Sequence, residues 1–170
     1  VRHELTVGYR IPGPIMDVAA RVLAVAAPDL APPRSVRGDG EAPRFIGLTG
    51  EQAEKLDGLV EVVRAELESV GAGNLAVIAA DSQANDVEQA LERAGVAFGR
   101  PTRRGLDARV TVVPVGLVKG LEVDGAVVVE PARILREQSQ GMRALYVALT
   151  RATKRVAVVH TEPLPAALSD

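Results

Sequence analysis

The chain has 170 residues, 47% of them hydrophobic, with 20 Lys+Arg against 22 Asp+Glu, enough to fill the core of one domain of ordinary size. A net charge of −2 and a pI near 5.8 exclude a uniformly basic nucleic-acid coat, while leaving room for a local basic patch. With no cysteine there is no disulfide, thiolate zinc site or cysteine nucleophile, and two histidines argue against a multi-histidine metal site. No apolar run approaches the roughly 18–20 residues that span a bilayer. The opening Val1-Arg2-His3-Glu4 is charged where a signal peptide needs apolar residues. The expectation is a soluble, cytoplasmic α/β domain, not a membrane protein. The missing initial methionine suggests a piece of a longer protein.

Ile15, Val18, Ala19, Val22, Leu23 and Ala26 follow helical spacing, with Pro14 suited to the first turn and Pro28 as the stop. Residues 28–43, with Pro28, Pro32, Pro33 and Pro43, read as an extended loop, and Arg44 to Leu48 as a short strand. Thr49-Gly-Glu-Gln52 has the pattern of a capping box. A helical face then runs through Leu56, Leu59, Val60, Val63, Leu67 and Val70 to Gly71. Leu75 to Ala80 is almost unbroken apolar sequence, as in a buried parallel strand. Ser82 is the expected cap of a helix whose inner face is Val87, Ala90, Leu91 and Ala94, closed by Gly95. Val110–Val113 and Ala126–Val129 are further buried strands, followed by a helix over about 137–149 and a strand from Val156 to His160. Strands alternating with helices predict one domain over 1–170, a doubly wound parallel sheet with helices on both faces.

Ligands of such sheets bind at the carboxyl ends of the strands, which draws attention to three stretches. Tyr9-Arg10 sets an aromatic face beside a guanidinium, suited to a base and a phosphate; a packed tyrosine and a turn-capping arginine explain it as well. Lys119-Gly120 lies between two strands, where glycine admits close backbone approach to phosphate, or simply makes a tight turn. The spacing of a Walker loop is absent. Thr150-Arg151 ends a helix, where arginine also complements the helix dipole.

Taken together and in this order, the stretches resemble the second RecA-like motor domain of superfamily 1 helicases of the UvrD/Rep type. Leu5-Thr-Val-Gly-Tyr-Arg-Ile-Pro12 is similar to motif IV, Lys119-Gly-Leu-Glu-Val-Asp124 with Ala126–Val129 to motif V, and Leu145-Tyr-Val-Ala-Leu-Thr-Arg-Ala152 to motif VI. The likeness covers about residues 5–160. Ile15-Met-Asp-Val-Ala-Ala20 and Pro32-Pro-Arg-Ser-Val-Arg37 look like the HelD branch, helicase-like factors acting on bacterial RNA polymerase. Repair helicases carry T-x-H-x-A ahead of motif V; here Pro114, Gly116 and Val118 stand at those positions and the histidine is missing. Gly8, Ile11 and Val123 also depart from the family pattern, at positions usually Asn, Ser or Thr, and Phe.

The resemblance implies a RecA-like, P-loop NTPase-type fold and an ATP site shared with an N-terminal RecA-like domain of the same protein. That domain would supply the phosphate loop and the magnesium ligands, so the isolated chain is expected to be inactive and to hold no metal itself. Arg10 and Arg151 would be arginine fingers on the γ-phosphate, worth on the order of 10³–10⁵ in rate. Tyr9 would stack on adenine, Glu122 would accept a hydrogen bond from the ribose, and Gly120 would admit the nucleotide to the backbone. Lys119 and Thr150 would lie close by. The implied partners are RNA polymerase and, through the whole protein, DNA. A DNA-translocating repair helicase of the UvrD/Rep type is the alternative, and a receiver-like or non-motor nucleotide-binding module a remote one, with Asp81 alone short of a receiver's acidic cluster.

Outside these motifs, Arg100, Arg103, Arg104 and Arg109 form a basic segment that suits phosphates, an acidic partner or plain solvation. Aromatic stacking platforms need more rings than Tyr9, Phe45, Phe98 and Tyr146 provide. His3 and His160 read as structural, and Met142 and Tyr146 as core.

Overall fold

The computed structural model describes residues 7–30, 34–37, 39–54, 56–101 and 108–169, with backbone alone for 7–10, 34–37 and 52. The His3, Leu5, Thr6, Pro32, Pro33, Arg103 and Arg104 of the sequence reading lie outside the described residues, as do the side chains of Tyr9, Arg10 and Gln52.

Five parallel strands make the main sheet: β3 (Arg44–Gly47), β4 (Leu75–Ala79), β5 (Val110–Pro114), β6 (Val123–Val129) and β7 (Ala152–His160), in the order β3-β7-β6-β4-β5. Because side chains alternate across a strand, the apolar runs serve two cores. Leu75, Val77 and Ala79, with Val127, Val129, Ala157 and Val159, face α3 (Asp57–Val70) and α4 (Ala84–Arg93). Ala76, Ile78, Ala126, Val128, Val156 and Val158 face α1 (Gly13–Ala26), α5 (Pro131–Glu137) and α6 (Gly141–Leu149). The doubly wound α/β sheet with helices on both faces is therefore the fold. No described helix is long and apolar enough to cross a membrane.

Local departures from the sequence reading have identifiable causes. Within the expected loop 28–43, β2 (Arg34–Arg37) pairs in parallel with β1 (Val7–Pro12), forming a separate two-stranded sheet. The helix after Thr49 is broken: α2 (Gly50–Glu54) stops, and Leu56 takes a left-handed φ of 60° before α3 begins. Ser82 does not cap α4; its hydroxyl donates to Glu137 at 2.5 Å, and Gln83 occupies the cap without a side-chain bond. The expected helix over about 137–149 is α6, which starts at Gly141, and a further helix, α5, precedes it at Pro131–Glu137. Gly141, the first residue of α6, has no room for a side chain: a Cβ there would lie 2.6 Å from the Leu135 backbone. Met142 and Tyr146 are half-buried against the core, whose centre on α6 is Leu145, Ala148 and Leu149.

Candidate functional site

The connection from β5 to β6 spans only residues 115–122, through a 3-10 turn at Val115–Leu117. Val115 and Val118 are buried in the core beneath it, and Leu121 N–H closes the next turn on Val118 O at 3.1 Å. Gly120 adopts φ +87°, a conformation that strains other residues. The turn itself therefore requires a glycine there. Lys119, Gly120 and Glu122 are exposed, and Lys119 makes no hydrogen bond or ion pair among the described residues.

This turn meets the end of α6. Val123 pairs with Ala152 in the parallel ladder, and Val123 N–H donates to Arg151 O at 3.1 Å. Thr150, 7% exposed, places its hydroxyl 3.0 Å from Tyr146 O and 3.1 Å from Val147 O. Arg151 folds back over the same carbonyls. Its Nε donates to Val147 O at 2.9 Å, Nη1 to Leu121 O at 3.4 Å and Nη2 to Thr150 Oγ1 at 3.1 Å. Every one of these acceptors is neutral. Burial lowers the pKa of Arg151, partly opposed by Tyr146 and then Glu122. An arginine nonetheless keeps its charge, so this edge carries a partly desolvated cation that no carboxylate hydrogen-bonds among the described residues. Burial likewise raises the Tyr146 phenol, against the opposing pull of Arg151.

Lys119, Gly120, Glu122, Thr150 and Arg151 are thus gathered at the amino ends of β6 and β7. The expectation that the motifs sit at carboxyl ends is corrected here: the β5–β6 connection returns along the sheet before Lys119, and α6 does the same before Arg151. Tyr9 and Arg10 belong to β1, which leads directly into α1. Between β5 and β6, Gly116 N–H donates to Asp81 Oδ1 at 3.0 Å, and a Cβ would crowd Asp81 Oδ2 at 3.1 Å. Asp124 is structural: it accepts from Asn74 N–H at 2.9 Å while its own N–H donates to Asn74 Oδ1 at 3.0 Å. In the basic segment, Arg100 forks onto Glu88 at 2.7 and 2.9 Å, and Arg109 donates to Gly71 O. His160 Nδ1 donates to Glu162 O at 2.8 Å, a structural use.

Two features were not foreseen. Fully buried Glu66 on α3 accepts from Arg44 at 2.8 Å and from Arg155 Nε and Nη2 at 3.2 Å, while Arg155 Nη1 reaches Glu41 at 3.0 Å. A glutamate on the inner face of a helix is the sequence signal that could have revealed it. At the carboxyl edge, an open cleft of about 580 Å³ is lined by Glu54, Leu56, Gln83, Asp86, Arg93 and Arg133, among others.

No family model matches the chain, and no curated protein matches it. Among solved structures it is similar to the C-terminal domain of a possible DNA helicase from Lactobacillus plantarum WCFS1. The identity is 22% and the TM-score 0.73, over 96% of this chain and 93% of that one. A weaker match, to the Pyrococcus furiosus Hef helicase domain, has 21% identity and a TM-score of 0.47 over 64% of this chain and 25% of that one. At these identities the likeness is one of fold: a RecA-like parallel α/β sheet shared with the first of these domains.

Proposed function

We propose that this chain is the C-terminal motor half of a superfamily 1 helicase-like ATPase, with Arg151 presented to a nucleotide held by an N-terminal RecA-like half. The observation that carries this reading is the meeting of the 118–122 turn and the end of α6 around a guanidinium bonded only to neutral acceptors. Such a cation at a sheet edge suits the γ-phosphate of ATP, where an arginine can stabilise the charge of the phosphoryl-transfer transition state. Arg10 is the second finger in this reading, Tyr9 the adenine platform, Glu122 the ribose acceptor, and Lys119 and Gly120 the adjoining wall. Magnesium would be held by the other half with the phosphate loop. Purified alone, the chain should turn over no ATP above background; turnover by the chain alone contradicts the assignment.

The wider protein is proposed to be a HelD-like factor that recycles RNA polymerase. Gly116 supports this over a repair helicase: its N–H is tied to Asp81 and it offers no side chain where those enzymes carry the histidine that couples nucleotide to DNA. A pull-down of the full-length protein, treated with nuclease, tests it. Polymerase that stays bound supports the factor, and polymerase lost with the nucleic acid indicates a DNA-tracking enzyme.

A further inference from the structure

Arg151 has five N–H donors. Among the described residues three are engaged, by Val147 O, Leu121 O and Thr150 Oγ1. One N–H remains on each terminal nitrogen. The Thr150 hydroxyl has a single proton, spent on the Tyr146 or Val147 carbonyl, and its lone pair receives Arg151 Nη2. Because Thr150 is buried and its own N–H is bonded to the same two carbonyls at 3.2 Å, the hydroxyl is a fixed point.

We infer that Thr150 is a positioning residue that holds the Arg151 guanidinium with its two remaining N–H groups ready to bind a phosphate. The inference rests on the nucleotide reading above. A preset fork loses less rotamer freedom when the phosphate arrives than a loose arginine does. The contribution appears in the rate rather than in ground-state binding where the contact with the transferring phosphoryl group is made in full only in the transition state. The bond from Nη1 to Leu121 O extends the same clamp to the 118–122 turn.

The test has two arms. In the chain itself, Thr150→Val keeps the shape and removes the hydroxyl, while Thr150→Ser keeps the hydroxyl; Thr150→Ala serves if the valine variant does not fold. Solvent exchange of the Arg151 Nη2 protons, which the hydroxyl holds, read by NMR, should rise several-fold in the valine variant and return in the serine variant. In the full-length protein, kcat for ATP should fall about ten-fold in Thr150→Val, the equivalent of one hydrogen bond, with KM little changed, and Thr150→Ser should restore it. A helix-capping role alone would lower the melting temperature without moving either readout. Unchanged exchange overturns the positioning role. Raised exchange with unchanged kcat overturns its part in the reaction, and if Arg151→Ala also leaves kcat unchanged, the nucleotide reading itself has failed.

Discussion

Arg151 and Arg155 stand four residues apart around the start of β7, and their surroundings are opposite. Arg155 points to the α3 side, where buried Glu66 takes two of its nitrogens and Glu41 a third. Hydrogen bonding to Glu66 raises its pKa. Its charge is consumed inside the molecule, tying α3 to β7, with Arg44 joining from β3. Arg151 has carbonyls and a hydroxyl in place of carboxylates, and burial lowers its pKa. The same residue type is a brace in one place and, in the other, a cation that Glu122 touches only through its field and that no carboxylate hydrogen-bonds among the described residues. Only the second has charge left for an anion from outside.

The comparison can be broken most severely at Arg151 itself. Arg151→Ala in the full-length protein should reduce ATP turnover by on the order of 10³-fold or more, while the isolated chain keeps its melting temperature within a few degrees. Arg155→Ala should do the reverse, leaving turnover per folded molecule intact. Next in size is Glu66→Ala, which leaves Arg44 and Arg155 without their common carboxylate. Breaking a buried pair is strongly destabilising, but both arginines are partly exposed, so a loss of about 2–3 kcal/mol is expected in urea unfolding. Gly73→Ala is smaller. Its Cβ would collide with the Asp124 carboxylate that caps Asn74 N–H, for a loss of about 1–2 kcal/mol.

The smallest effect is that of pH. Glu88, Glu137 and Glu162 are held below the usual carboxylate range, first by hydrogen bonds from Arg100, Ser82 and Arg136 respectively. Depressed folded-state values mean that their contributions are complete above the unfolded pKa of about 4.3 and fade as pH falls further. These are surface groups, so thermal melts should change little between pH 7 and 5 and decline only below that window.

Much of the fold was legible because continuous apolar runs such as Leu75–Ala79 and Ala126–Val129 are buried on both faces, and α1 carried a proline start and a regular apolar stripe. What could not be read depended on distant partners. Arg34–Arg37 has no strand pattern of its own and is a strand only through β1. Leu56, a non-glycine residue with positive φ, gives no local sign that the helix breaks there. At the site, Arg151 and Glu122 could be singled out by the likeness of their motifs. That they share the amino edge followed from the short return between β5 and β6, which reversed the rule applied to the sheet. The hydroxyl of Thr150, bonded within its own helix end, was indistinguishable in sequence from any helix-terminal threonine.

The most direct measurement is single-turnover ATP hydrolysis by the full-length protein carrying Arg151→Ala, beside Arg155→Ala and the unchanged chain. A loss on the order of 10³-fold confined to Arg151→Ala, with Arg155→Ala near the unchanged rate, is the predicted result. Equal rates in all three, or a loss in Arg155→Ala matching that in Arg151→Ala, would contradict the assignment of Arg151 to the nucleotide.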